Sequence, residues 1–179
     1  MGDGCVLGGL AIRIGTHVQA PGRIEASGSA IDVLPRLRHA CAQAGVPLQE
    51  SDDIRRELWR KLVINNGINP LSAITGWDSR RLTRDEQVAP MVMWMMREAA
   101  AAARADQVEL DETDVAEMFA VIHDLDAIKT SMLVDREHGR PLELEEICGA
   151  VLARARRLGQ DAPITAMAAA LLRRSIWAD

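Results

Sequence analysis

From Ser51 to the end of the chain, apolar residues recur at intervals of three and four, and stop signals break the pattern into segments of helical length. Few folds accept such a sequence. Each segment has an apolar stripe too wide to leave in water, so the segments must pack on one another as a helical domain. Ser51, Asp52 or Asp53 can cap a first helix through Leu58, Trp59, Leu62, Val63 and Asn66, which Pro70 is expected to disturb before Gly76 ends the segment. Thr83 with Glu86 three residues on reads as a capping box opening a long helix to about Ala105. Within it Pro90–Met96 is apolar all round, the mark of a central, buried helix in a core or at a dimer interface, with a plastic, Met-rich binding surface as the alternative use. Further helices are expected over Asp111–Leu125, Ala127–His138, Leu142–Leu158 and Pro163–Ile176, with Gly139, Pro141 and Gly159 between them.

The first 50 residues differ in texture. Short apolar runs alternate with Gly and Pro: Cys5–His17 is β-like in its later part, Ala20-Pro21-Gly22 signals a turn, and Arg23–Ala26 could complete a hairpin. Ile31–Ala44 carries a helical stripe stopped by Gly45, and Val46–Gln49 reads as a short strand. Three strands at most are too few for a doubly wound sheet, so this segment reads as the end of a domain whose beginning lies elsewhere. Gly2-Asp3-Gly4 and Gly8 are not a dinucleotide fingerprint: no strand precedes them and no helix follows to receive a pyrophosphate.

Composition removes several function classes. The 21 basic and 26 acidic residues leave a net charge of −5, without the basic footprint of a nucleic-acid-binding protein or a helical transcription regulator. No apolar run reaches the length of a membrane span, and the N-terminus has no basic region followed by an apolar stretch, so neither a membrane partner nor a signal peptide is expected. Cys5, Cys41 and Cys148 have no metal-ligand or redox spacing and the histidines are scattered, so we expect no metal and a cytoplasmic protein with reduced thiols. Of the 21 basic residues only Lys61 and Lys129 are lysines. A Lys kept against such a bias can mark a need for a compact ammonium, although chance explains it equally well.

Lys61, Asn65 and Asn69 fall at i, i+4 and i+8, within an arc of about 80° and along about 12 Å of helix if the helix continues. An ammonium can supply a proton or polarise a carbonyl, and two amides can fix the orientation of a ligand. Gly67 among them would let a ligand approach the backbone. A solvated polar face is an equally good reading of the spacing. Ser131 and Asp135 share a face, and Glu143 follows the Gly139–Pro141 break in the first turn of the next helix, where a carboxylate also simply suits the helix dipole.

Together these segments resemble the ketopantoate reductase family. The first signature is Leu58-Trp59-Arg60-Lys61 continuing through LVINNGINPLSA to Ile74-Thr75-Gly76. The second is Ser131-Met132, Asp135, Gly139-Arg140 and LELEEICG, with Glu143 twelve residues after the Ser and Gly149 six further on. The resemblance implies a mainly α fold, a helical domain like the C-terminal domain of 6-phosphogluconate dehydrogenase over 51–179, preceded over 1–50 by a small α/β remnant of a Rossmann nucleotide-binding domain. It implies reduction of 2-dehydropantoate to pantoate, a step of pantothenate and coenzyme A synthesis, with hydride from NADPH. Lys61 and Glu143 would be catalytic: Lys61 would protonate the C2 carbonyl oxygen, and Glu143 would bond substrate hydroxyls and the ammonium. Asn65, Asn69 and Ser131 would bind substrate, with Asp135 a lesser candidate. The fingerprint half is absent from this sequence, so the chain alone is expected to hold the substrate wall without the hydride donor. A raw sheet edge there would favour a homodimer. The alternatives are a related reductase of another branched 2-keto acid and a non-catalytic helical interaction module that kept the fold.

Overall fold

The computed structural model describes residues 6–7, 24–25, 30–45 and 51–174, and divides the chain into two compact units, Met1–Leu58 and Trp59–Asp179. In the first unit β1 (Val6–Leu7) and β2 (Ile24–Glu25) pair antiparallel, Val6 opposite Glu25 and Leu7 opposite Ile24. Helix α1 (Ala30–Gln43) follows and ends at Gly45, whose φ of +65° is the left-handed conformation that suits glycine. The expected turn at Pro21-Gly22, the strand at Val46–Gln49, the glycines before Val6 and the end of the last helix at Ile176 lie outside the described residues.

Helix α2 (Ile54–Thr75) begins at Asp53, whose carboxylate accepts from the Arg56 amide at 2.9 Å. It then runs unbroken through Pro70, against the expected disturbance. Proline removes one helical bond, to the Asn66 carbonyl, but Asn69–Ala73 are all buried, and this packing outweighs the lost bond. The helix ends at Gly76 (φ +73°), where the Ser72 hydroxyl donates to the Trp77 carbonyl at 2.6 Å.

Helices α3 (Ser79–Arg84) and α4 (Ala89–Ala103) replace the single long helix expected from Thr83. The Thr83 hydroxyl turns back to donate to the Ser79 carbonyl at 3.0 Å, so it caps nothing. Asp85 instead fixes the turn between the two helices, accepting from the amides of Gln87 and Val88 at 3.0 Å, and Pro90 occupies the first turn of α4, where its missing N–H costs nothing. Nor is α4 buried all round. Val92, Met95, Met96 and Ala99 are buried completely, while Met91 and Trp94 are 39% and 52% exposed.

Helix α5 (Glu112–Asp124) starts from a reciprocal box in which Asp111 and Asp114 bond each other's amides at 3.0 Å. Helix α6 (Ser131–Glu137) starts four residues later than the sequence suggested. Both backbone groups of Ile128 are taken by Ser79 (3.0 and 3.1 Å), which holds that segment out of a helix until Thr130 caps α6. The expected helix from Leu142 opens with a five-residue π turn, Glu145–Gly149, before α7 (Ala150–Arg157) and α8 (Pro163–Arg173).

The main core joins Trp59, Val63 and Leu71 of α2 to the buried face of α4, with Met118 and Ile122 of α5, Val151 of α7 and Ala168 of α8. Ion pairs fasten its rim. Asp106, just past α4, accepts from Arg154 at 2.7 Å and Arg157 at 3.3 Å on α7. The Arg154 hydrogen bond above all holds the Asp106 carboxyl below its ordinary value of 3.8. A depressed carboxylate adds stability that is full above the ordinary value and is lost as pH falls through the lower, folded one. Thermal melts should therefore show Asp106→Asn less stable than the parent by about 1 kcal/mol at pH 6. That difference should shrink below pH 3.8, and a gap independent of pH would show that the ion pairs do not contribute.

Candidate functional site

Because α2 is continuous, the stripe expected from spacing exists as one helical surface. Lys61 and Asn65 are half-buried, and Asn69, next to Pro70, is 4% exposed. Asn69 makes no side-chain hydrogen bond among the described residues, so its amide keeps its donors and acceptor for something else. Gly67 does not open a path for a ligand. A Cβ built there would lie 2.5 Å from Met96 Cγ and 3.3 Å from the Val92 carbonyl oxygen, so α4 already fills the space. Its role is close helix packing.

Ser131 is exposed at the first position of α6, with its backbone fixed by the Thr130 cap. Asp135, one turn on, is engaged: its carboxylate forms an ion pair with Arg140 Nε at 2.8 Å, and the Arg140 amide donates to its carbonyl at 2.8 Å. This pair closes the turn at Gly139 (φ +65°) that leads to Glu143. Glu143 is exposed, between the half-buried Leu142 and the buried Leu144.

What joins these segments is a second apolar cluster. Ala73 of α2, Met132 of α6, Leu144, Ile147 and Cys148 at the π turn, and Ala169 of α8 form it, with Leu62 and Leu142 packed against them. Lys61 precedes Leu62, Ser131 precedes Met132, and Glu143 separates Leu142 from Leu144. Each polar residue is thus the chain neighbour of a side chain held in one shared cluster. A guanidinium adds a polar strap: Arg136 of α6 donates from Nη1 to the carbonyls of Ala73 and Ile74, in the last turn of α2. Burial pushes the Cys148 thiol up to about 12, so it is a protonated packing group at neutral pH. Among the described residues no three of His, Cys, Asp and Glu converge as metal ligands, and no helix is long and apolar enough to cross a membrane.

Two residues of this region stand outside the set of site residues expected from the sequence. Arg136 was one of many arginines. Asn66 was read only as part of the helix, yet it is fully buried and its amide donates to the Met95 carbonyl of α4 and the Thr165 hydroxyl of α8, both at 2.9 Å. Asn66 breaks an apolar run at a core position, which is the mark that could have found it.

The helical unit and its two signature segments define the class: a helical domain of one recognisable family. The family profile for the ketopantoate reductase PanE/ApbA C terminal matches residues 53–175. The chain belongs to that family. The 2-dehydropantoate 2-reductase of Mesorhizobium japonicum is 32% identical over 177 residues, which cover 93% of this chain and 54% of the relative. Among solved structures, the 2-dehydropantoate 2-reductase of Methylococcus capsulatus superposes with a TM-score of 0.71 at 30% identity, over 83% of this chain and 48% of that one. That of Geobacter metallireducens gives 0.74 at 26% identity, over 96% and 60%. The chain therefore spans about half the length of the relatives it matches.

Proposed function

We propose that this chain is the substrate-binding, proton-supplying part of an NADPH-dependent 2-keto acid reductase that converts 2-dehydropantoate to pantoate, with 1–50 the end of its nucleotide-binding domain and 51–179 the helical substrate domain. The observation that carries the reading is the shared cluster of Leu62, Met132, Leu142 and Leu144, which sets the segments bearing Lys61, Ser131 and Glu143 against one another. Lys61 holds a proton for the C2 carbonyl oxygen, where charge develops as the ketone becomes an alcohol. Asn65, Asn69 and Ser131 orient the carboxylate and hydroxyl of the substrate, and Glu143 bonds the hydroxyl and the Lys61 ammonium. Asp135 acts through Arg140, by fixing the turn before Glu143.

The described residues do not fit the nucleotide itself. Pyrophosphate binding needs a glycine turn leading from a strand into a helix. Gly45, Gly76, Gly139 and Gly159, the described glycines of positive φ, all follow helix ends instead. We assign the nucleotide to sequence outside the described residues. Homodimerisation and a cytoplasmic location belong to the same proposal, supported by the exposed Met91 and Trp94 of α4 and by the free thiols of Cys41 and Cys148.

The test follows NADPH absorbance with 2-dehydropantoate, using this chain and a fusion of it to the nucleotide-binding half of the Mesorhizobium japonicum relative. We expect turnover from the fusion alone. Turnover by the unfused chain would show that its own residues bind the nucleotide and would overturn the expectation that it lacks the hydride donor. A fusion active only on another branched 2-keto acid would move the substrate, and an inactive, folded fusion would favour the non-catalytic module.

A further inference from the structure

We infer that Asn66 is a positioning residue that sets the rotation of α2 about its axis, and thereby the direction in which Lys61, Asn65 and Asn69 face. The inference deepens the reading of that stripe as the substrate wall and rests on it. Apolar patterning alone fixes the rotation poorly. At about 100° per residue, Trp59, Leu62, Val63, Ile68, Leu71 and Ile74 spread over about 240° of the circumference. Turning such a helix exchanges one apolar contact for another.

Asn66 lies within that apolar sector and is fully buried. Its Nδ2 group uses both hydrogens at 2.9 Å, on acceptors from two different helices, the Met95 carbonyl of α4 and the Thr165 hydroxyl of α8. The second acceptor is itself fixed, since the amides of Ile164 and Thr165 donate to the Glu98 carboxylate of α4 at 2.9 and 2.8 Å. Two directional bonds to a braced frame admit one rotation. Asn66 Oδ1 is buried with no hydrogen-bond partner. An amide half satisfied in a core is a poor source of stability but a good source of specificity, because every other rotation leaves more of it unpaired. Gly67 completes the device by letting α4 close onto α2 beside it.

The sequence supplies its own reporter, because Lys61 and Lys129 are the only lysines. Lys61 is half-buried on the stripe, whereas Lys129 sits on the loop before α6 with its side chain 57% exposed. The experiment treats the full chain with the N-hydroxysuccinimide ester of acetic acid and reads the Lys61 to Lys129 labelling ratio by peptide mass spectrometry. Asn66→Leu keeps roughly the volume and removes the bonds. It should keep its helical circular dichroism and a cooperative melt, while the ratio rises about threefold or more as α2 populates other rotations. A folded Asn66→Leu with the parental ratio overturns the inference. Should Asn66→Leu fail to fold, Thr165→Val decides: it removes one acceptor at constant volume, a raised ratio supports the inference, and an unchanged ratio overturns it. No substrate is present, so a negative result here leaves the proposed role of Lys61 standing, and an inactive fusion would leave this result standing.

Discussion

Replacing Lys61 by Ala, in the chain fused to a nucleotide-binding half, should lower kcat by about 100-fold or more, the usual contribution of a positioned proton donor, or about 2.7 kcal/mol of transition-state stabilisation. The reasoning starts from where charge appears. A ketone oxygen is nearly neutral in the bound substrate and becomes an alkoxide as the carbonyl carbon is reduced. A cation beside it is therefore worth most in the transition state, and its loss falls on kcat more than on KM. Asn69→Ala should behave differently. The buried, unengaged amide of Asn69 can grip ground state and transition state alike, so its removal should act chiefly through KM. Lys61→Arg is the sharper control. It keeps the charge, but a planar guanidinium does not release a proton at neutral pH, and it should recover little of the lost rate. Steady-state kinetics on the three variants decide the matter. A Lys61→Ala enzyme within a few-fold of the parent in kcat would remove Lys61 from the chemistry.

The stripe could be foreseen because helical periodicity is local: Lys61, Asn65 and Asn69 share a face whatever surrounds α2, provided the helix continues past Pro70. Whether it continues was not local. Pro70 normally breaks a helix, and only the burial of Asn69–Ala73 against other elements overrides that preference. The same division explains Thr83. Its capping box was a sound local pattern, but Asp85 two residues on holds the amides of Gln87 and Val88 in a turn, and the helix opens only at Ala89 with Pro90 in its first turn. Ser131 and Glu143 were legible as motif residues, whereas their common support was not, since Leu62, Met132 and Leu144 lie far apart in sequence and meet only in the fold. Asn66 and Arg136 belong to that second kind. Their meaning lies in acceptors on other helices, Met95 and Thr165 for one, Ala73 and Ile74 for the other.

Gly67 is where the local and the global reading part most clearly, and it carries the largest expected effect on stability. By helix propensity alone, almost any substitution should help, since Gly costs about 1 kcal/mol against Ala within a helix. The crossing of α2 and α4 reverses the sign. A Cβ would meet Met96 at Cγ, in the stem of a side chain that is itself fully buried, and would press on the Val92 carbonyl, which belongs to the backbone of α4. Neither can swing away into solvent. Gly67→Ala should therefore lose about 1 kcal/mol or slightly more, the clash exceeding the propensity gain. Gly67→Val, with two further carbons in the same space, should lose about 3 kcal/mol, the upper end for overpacking. In a domain of this size that lowers Tm by on the order of 10 °C. Because the cause is one contact, the partner can relieve it. Met96→Ala destabilises on its own through the cavity it leaves, by about 2 kcal/mol or more. Combined with Gly67→Val it should cost markedly less than the sum, since the valine fills part of that cavity. Urea melts of the two single variants and the double close the cycle. A strictly additive result would mean that the helices separate at the crossing, and that Gly67 is not what holds α2 and α4 together.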